Sequence, residues 1–310
     1  MKLIYQIIDI RGAYVLSRLD LYKVFCTVAN RKSFSKAAHD LYMTQPAVSQ
    51  AIMQLERELD TRLFIRTSKG VFLTDEGRLL FEYANSAVNF IRVGEEKLRE
   101  LKNLMTGELK IGVGDTISRY FLLPYLEEFH NRYPHIKFKI VNGTTLEICS
   151  LIKSGGVDIG ICNFPLDDPG LERRPCIDIQ DIFVYGERFK DVLSGPVSLE
   201  QVAKLPLIFL ESKANSRKYV EDYIWSKGIK ISPDFELGSH ELLLEFAKIN
   251  LGVACVTREF SQEYLDTGLL YEVQLMEEIP KRSIGVCFLK SVSLSPASKK
   301  FVEILESKMS

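Results

Sequence analysis

The hydrophobic period of the chain changes at Thr106-Gly107, and one layer architecture does not accommodate both sides of that change. Ahead of it, apolar residues recur at the three-and-four spacing of amphipathic helices. Behind it, short strand-like runs alternate with helical stretches. A length of 310 residues suits two or three domains, so the break reads as a domain boundary.

Residues 19–64 read as three helices in quick succession. Leu19, Tyr22, Val24-Phe25 and Val28-Ala29 mark the first, which ends at Asn30-Arg31-Lys32. Ser33 is an N-cap for a short second helix carrying Ala37, Ala38 and Leu41, whose small Ala pair permits a close helix crossing. Tyr42-Met43 make a tight turn, and His39, on a helix packed against its neighbours, reads as structural. Thr44 caps the third helix, with Pro46 in its first turn where a missing N–H is harmless. Val48, Ile52, Leu55 and Leu59 form its buried stripe.

Two β-prone segments around Ser68-Lys69-Gly70 then predict a hairpin, or wing. Thr74 caps a long helix whose first turn carries Asp75 and Glu76. Leu80, Ala84, Ala87, Ile91, Gly94, Leu98, Leu101 and Met105 repeat at alternating spacings of four and three, the pattern of a coiled-coil seam suited to dimerisation. A monomeric amphipathic helix is the alternative.

Beyond residue 106 the strand-like runs are 109–113, 137–141, 157–161, 207–210, 253–256 and 284–288. Their alternation with helices predicts parallel sheets with crossover helices. With 46% hydrophobic and 26% charged residues, the chain can build sizeable cores. No apolar run approaches the roughly 20 residues of a membrane span. The opening Leu3-Ile4-Tyr5-Gln6-Ile7-Ile8-Asp9 is too short and polar for a secretory signal. A cytoplasmic location is expected.

Net charge is −1 but unevenly divided. Residues 1–106 hold 16 Lys and Arg against 12 Asp and Glu, a balance of +4, and the remainder holds 24 against 29, a balance of −5. The basic share falls on the side expected to face phosphates. Cys26, Cys149, Cys162, Cys176, Cys255 and Cys287 are scattered without a C-x-x-C, which argues against a disulfide scaffold or zinc site. Buried reduced thiols are the simple reading; Cys162 and Cys176 are close enough in sequence for a redox pair.

A helix that reads DNA needs short polar side chains on its exposed N-terminal face. Thr44, Gln45, Ser49, Gln50 and Met53 lie opposite Val48, Ile52 and Leu55, and Pro46 and Ala47 offer apolar contact to a thymine methyl. Ser33, Ser35 and Lys36 at the start of the second helix suit phosphates, as do Arg66, Thr67 and Lys69 on the wing. A solvated helix face is the alternative for any one of them. The ordered run from Ser33 to Ile52, its continuation Leu55-Glu56-Arg57-Glu58-Leu59 to Arg66, and Leu73-Thr74-Asp75-Glu76-Gly77 closely resemble the helix-turn-helix of LysR-type transcriptional regulators.

The resemblance extends through Gly107-Glu108-Leu109-Lys110-Ile111-Gly112, Leu122-Leu123-Pro124, Tyr133-Pro134, Gly155-Gly156-Val157-Asp158, Gly238-Ser239-His240-Glu241 and Gly252-Val253-Ala254. It implies an α/β fold with an N-terminal all-α winged helix-turn-helix, a long linker helix and a two-lobed, periplasmic-binding-protein-like effector domain. The corresponding boundaries are 1–17 (extension), 18–74 (DNA-binding domain), 75–106 (linker helix) and 107–310 (effector domain). Lobe I takes 107–180 and 282–310, and lobe II takes 181–281.

In such a fold the cleft lies at strand C-termini and helix N-termini, where free N–H groups favour anions. Asp115-Thr116-Ile117-Ser118, Gly143-Thr144-Thr145, Ser212 through Ser216 to Arg217, and Ser239-His240 should meet there. Hydroxyls, amides and one Arg suit a small organic acid, an amino acid or another oxyanion; each Ser or Thr taken alone reads first as a simple N-cap, and their convergence on one cleft favours the functional reading. Asp115 would repel an anion or pair with a ligand amine, and His240 could supply a compensating positive charge.

The resemblance further implies double-stranded operator DNA, a small-molecule effector and RNA polymerase as partners, in a homodimer or homotetramer. Two paired long helices would set two recognition helices on an interrupted palindrome. An enzyme would need a motif such as G-x-S-x-G, H-E-x-x-H, a Walker loop or G-x-G-x-x-G after a strand. None occurs, so no catalytic residue, metal or cofactor is expected. A plain solute-binding protein would lack the 19–75 module and carry a signal peptide. Residues 1–17 match nothing in the resemblance and read either as translated leader, with the start near Val15 or Leu16, or as an extra segment packed on the first helix.

Overall fold

The computed structural model describes residues 7–8, 14–15, 17–67, 70–102 and 107–307. Ser68 and Lys69 of the expected turn, Met105 of the expected seam, Thr106 and most of the first 17 residues lie outside the described residues. Within that opening stretch, β1 (Ile7–Ile8) pairs antiparallel with β2 (Tyr14–Val15).

Local capping sets the N-terminal elements. Ser17 and Asp20 form a capping box at the start of α1 (Arg18–Arg31). Ser33 accepts the Lys36 N–H to open α2 (Phe34–Asp40), and Thr44 accepts the Ala47 N–H to open α3 (Gln45–Glu58). Phe25, Val28, Ala37, Val48, Ile52 and Leu55 interlock as their core. Glu56 at the end of α3 accepts the N–H groups of Leu63 (2.8 Å) and Phe64 (3.3 Å). These bonds hold β3 (Phe64–Thr67) to the helices, and β3 pairs with β4 (Gly70–Leu73) as a hairpin.

Thr74 accepts the Gly77 N–H and donates to the Arg62 carbonyl, both within 2.9 Å, at the head of α4 (Asp75–Lys102). Gly77 lets α4 cross the chain here, since an added Cβ would stand 2.2 Å from the Leu63 carbonyl oxygen. The expected seam divides. Ala84 is buried against the helical core, with Leu80, Phe81 and Val88 packed beside it, because α4 is itself a wall of that core. Outward apolar side chains on this helix include Leu79, Tyr83, Ile91 and Leu98.

Residues 107–307 build two five-stranded sheets with one topology. The first orders β6 (Ile136–Asn142), β5 (Gly107–Val113), β7 (Ile159–Asn163), β14 (Arg282–Leu289) and β8 (Leu171–Ile179). The second orders β11 (Phe235–Leu237), β10 (Leu207–Leu210), β12 (Val253–Thr257), β9 (Asp181–Tyr185) and β13 (Tyr271–Glu272). In each, three parallel strands carry the crossover helices and two antiparallel strands complete the sheet. The expectation of parallel sheets alone therefore requires correction: β14 and β9 run antiparallel to both of their neighbours, and β8, β9, β11 and β13 lie outside the apolar runs. Polar residues interrupt the edge strand β8, as in Leu171-Glu172-Arg173-Arg174, and edge positions tolerate that pattern, whereas β9 is an inner, buried strand.

Both faces of each sheet are covered, so neighbours along a strand enter different cores. In the first sheet Ile159 and Ile161 pack with Phe129 of α6 (Leu123–Arg132) and Phe301 of α13 (Pro296–Ser307). Cys162 packs with Ile148 and Cys149 of α7 (Thr145–Lys153). In the second, Phe209 joins Val220 of α10 (Asn215–Ser226), and Ile208 joins Leu244 of α11 (His240–Lys248). The chain passes between sheets at Gln180 and returns between Glu272 and Arg282.

Gly77→Ala should lower the unfolding free energy by about 1–3 kcal/mol through overpacking against Leu63. Gly94→Ala, at a helical position with nothing within 4 Å of the added Cβ, should instead stabilise by about 0.5–1 kcal/mol. Urea unfolding of the two variants checks both signs.

Candidate nucleic-acid interface and effector cleft

The opening turns of α3 present an exposed polar face. Thr44, Gln45, Pro46, Gln50 and Met53 are exposed, while Ala47 and Ser49 are half-buried beside them. Gln45 Nε2 lies 3.4 Å from Ser49 Oγ, a weak bond that base edges can replace. On α2, Ser35 and Lys36 are exposed, and the Ser33 side chain is engaged as the N-cap. Thr67 is exposed on the wing, Arg66 pairs through its backbone with Val71, and Lys69 lies outside the described residues.

His39 departs from its structural reading, because its side chain is 90% exposed beside Asp40. The cause is helical phase: Ala37 and Ala38 take the buried face of this seven-residue helix. Arg57 is a residue to which the sequence reading gives no role; one turn beyond Met53, it donates to the Met53 carbonyl and lines a concavity with Met53, Glu56, Asp60, Thr61 and Arg62. Its i+4 spacing from Met53 is the available signal.

Between the two sheets a cleft of about 250 Å³ opens at the C-terminal ends of their parallel strands. From the first lobe come Asp115, Thr116 and Ile117 after β5, and Gly143, Thr144 and Thr145 after β6. The second lobe contributes Ser216 after β10 and His240 after β11. Eight of the expected effector residues therefore share one cleft wall or the other.

Four do not. Ser118 enters a π-helical turn (Ser118–Leu122) behind the wall. Ser212 is exposed beside the cleft without lining it. Ser239 caps α11 through the Leu242 N–H and donates to Glu241. Arg217 is buried and committed elsewhere, meeting Glu221 at 2.8 Å, Glu236 at 3.0 Å and the Leu210 carbonyl at 2.8 Å. Glu221 is its i+4 neighbour and Glu236 sits on the adjoining strand, so the expected anion-binding guanidinium faces away.

The cleft floor carries residues that sequence spacing did not indicate. Arg282 spans the two lobes with both carboxylate oxygens of Asp181 (2.5 and 2.8 Å), the Thr257 hydroxyl (3.2 Å) and Asn163. The side chains of Arg282 and Asp181 are only 2% and 3% exposed. Asn142 donates to Asp115 Oδ1. In the second lobe Glu211 and Lys213 complete the charged lining. An amide or hydroxyl at a strand terminus was the only available hint for Asn142, Asn163 and Thr257.

Thr144 serves as both ligand candidate and cap. Its N–H and hydroxyl donate to Glu147 Oε2 at 2.8 and 3.0 Å, closing a capping box. Those bonds hold the Glu147 carboxyl below its ordinary range. His240 does not supply the expected positive charge: burial pushes its pKa from 6.5 down to about 4, so the ring is neutral near pH 7. The Thr257 N–H donates to its Nε2 at 3.2 Å. The six cysteines are buried and free, as the reading of reduced thiols expects, and the alternative Cys162–Cys176 pair is not assembled. Cys162 meets Cys287 at 3.2 Å between sulfurs, and Cys176 instead faces the Arg174 carbonyl.

A winged helix-turn-helix followed in one chain by a two-lobed α/β unit defines a DNA-binding regulator with a sensing domain. Residues 19–78 match the family described as bacterial regulatory helix-turn-helix protein, lysR family, and residues 102–310 match the LysR substrate binding domain. The chain belongs to the LysR family of transcriptional regulators, which are not enzymes. It is 27% identical over 299 residues to the HTH-type regulator YcgK of Bacillus subtilis, covering 89% of this chain and 90% of that one. It is 26% identical over 283 residues to the RuBisCO operon transcriptional regulator of Allochromatium vinosum, covering 91% and 93%. Among solved structures, a full-length OxyR variant from Pseudomonas aeruginosa shares the fold at a TM-score of 0.69 and 19% identity, with 96% and 95% covered. CbnR complexed with target DNA shares it at 0.65 and 17%, with 95% and 100% covered.

Two stability measurements follow from the cleft floor. Asp181→Asn removes the charge facing buried Arg282 and should destabilise by about 3–5 kcal/mol in urea unfolding, because it leaves a buried charge uncompensated. His240 binds its proton more weakly folded than unfolded, so its contribution is complete above pH 6.5 and lost as pH falls toward about 4. Between pH 7 and 5 the parent protein should lose about 2 kcal/mol more than His240→Gln. Equal pH slopes for the two would show that the ring is not buried neutral.

Proposed function

We propose that this LysR-type regulator reads operator DNA through α3 and the wing and responds to a small molecule held between its two lobes. The observation that carries the reading is the shared topology of the two sheets, whose parallel-strand ends meet at a polar cleft. Such ends collect backbone dipoles and loop side chains, and a molecule touching both lobes biases their separation.

On the DNA side, Gln45, Ser49 and Gln50 have the donor–acceptor character to address base edges, with Met53, Pro46 and Ala47 as apolar contacts. Ser33, Ser35, Lys36 and the wing residues Arg66, Thr67 and Lys69 serve the phosphates. The outward stripe of Leu79, Tyr83, Ile91 and Leu98 on α4 is apolar enough to pair with a second copy. A dimer built this way sets two recognition helices on an interrupted palindrome, and contacts between sensing domains extend it to a tetramer. Effector-driven closure then changes the placement of the dimers, the bend of the DNA and the access of RNA polymerase. A cytoplasmic location accords with this role.

A gel shift using DNA upstream of the chain's own gene tests the first half. Gln45→Ala should cost about 1–3 kcal/mol of binding and relax base preference at one position. Lys36→Ala should weaken binding to all sequences alike and reduce the slope of log K against log salt by about 1. Effector binding should survive both changes and fail in Thr116→Val, whose hydroxyl is half-buried in the cleft wall. Salt-insensitive binding, or loss of both activities in either DNA-side variant, would overturn the division of labour.

A further inference from the structure

The hydrogen bond from Thr257 N–H occupies the Nε2 lone pair of His240. A neutral imidazole accepting at Nε2 carries its hydrogen on Nδ1, so Nδ1 is a donor. Among the described residues, this Nδ1 is the buried side-chain polar atom without a hydrogen-bond partner. The ring is 2% exposed and is flanked edge-on by Tyr120 at 5.6 Å and Phe260 at 6.0 Å. A buried donor without an acceptor is a state the fold carries at a cost, and this one belongs to a side chain lining the cleft.

The charges around that donor narrow what can satisfy it. Arg282 is neutralised by Asp181, and Arg217 is committed to Glu221 and Glu236. Lys213 is left against Asp115 and Glu211, so the ionisable lining leans negative. Asn142 donates to Asp115 Oδ1, and among the described residues no donor is placed on Oδ2 of this exposed side chain. A plain carboxylate would meet two acids, Asp115 and Glu211, against the one countercharge of Lys213. A molecule carrying an amine as well as an oxygen acceptor answers Asp115 and His240 together. The remaining lining includes Ile117, Ile148, Ile161 and Leu237, which suits an aliphatic side chain.

We infer that the effector is a zwitterion of the amino-acid class, its ammonium against Asp115 on one lobe and a carboxylate oxygen accepting the Nδ1–H of His240 on the other. This rests on the cleft being the effector site, as proposed above. One molecule then bridges both lobes through opposite charges of its own, which couples occupancy to closure.

The test uses the full-length protein, thermal shift and titration calorimetry with the proteinogenic amino acids, each paired with its deaminated acid: L-alanine with propionate, L-leucine with 4-methylpentanoate, L-aspartate with succinate. At about 10 mM, at least one amino acid should raise the melting temperature while its deaminated partner does not. Asp115→Asn, a near-isosteric change at an exposed position, should weaken that amino acid at least about tenfold, or roughly 1.4 kcal/mol. His240→Gln should weaken it as well while DNA binding persists. A deaminated acid that binds as tightly as its amino acid, or no binding by any amino acid, overturns the zwitterion. If a plain acid binds and Thr116→Val abolishes it, the zwitterion falls but the cleft stands. If binding of a probe is unchanged in both Thr116→Val and Asp115→Asn, the cleft itself is not the effector site and both readings fall.

Discussion

The two-lobed unit is organised around the Arg282–Asp181 ion pair. Each charge is nearly inaccessible to water, and separation of the pair inside the protein would leave an uncompensated ion. The guanidinium, on the residue that opens β14, spends its donors on three groups at the ends of other strands: Asp181 opens β9, Thr257 closes β12 and Asn163 closes β7. One side chain thereby aligns the termini of both sheets where the chain crosses between them. Gln180 reinforces the crossing: its side chain donates to the Ile279 carbonyl, its backbone N–H donates to the Glu259 carboxylate, and its carbonyl accepts the Arg258 N–H. The cleft floor is therefore a rigid polar network, and its walls are the loops that the sheets hold above it.

Electrostatics in the cleft follow from how that network spends its charges. Arg282 lines the cavity but brings no net charge to it, since Asp181 balances it. Burial keeps His240 neutral, and the same network fixes its tautomer through Thr257. What remains beside the ion pair is Asp115 on the first lobe, Glu211, Lys213 and the neutral His240 on the second, and hydroxyls around them.

The N-terminal unit solves a different problem, that of exposing polar side chains on a rigid helix. Its core is small, and aromatic contacts such as Phe25–Phe64 at 5.4 Å and Phe34–Phe64 at 6.0 Å tie the helices to the hairpin. Glu56 performs the same task from the polar side by capping the strand entry. The exposed residues of α3 can remain uncommitted because the buried stripe of the same helix and its neighbours bear the packing.

Much of this was legible in the sequence, and the reason is locality. Ser33, Thr44, Thr74, Thr144 and Ser239 cap helices as their positions indicate, because a cap bonds only two or three residues away. Apolar periodicity located α3, the wing and the parallel strands other than β11, since burial on one face writes itself into spacing. Arg217 and His240 look cationic in sequence, yet one is neutralised by carboxylates on two elements and the other is discharged by burial. Arg282 and Asp181 stand 101 residues apart and meet only once both sheets are formed. The order of elements, their caps and the family belong to the sequence alone. Which polar groups remain free to meet a ligand is decided by the tertiary structure, because charge and hydrogen bonding depend on neighbours that spacing does not encode.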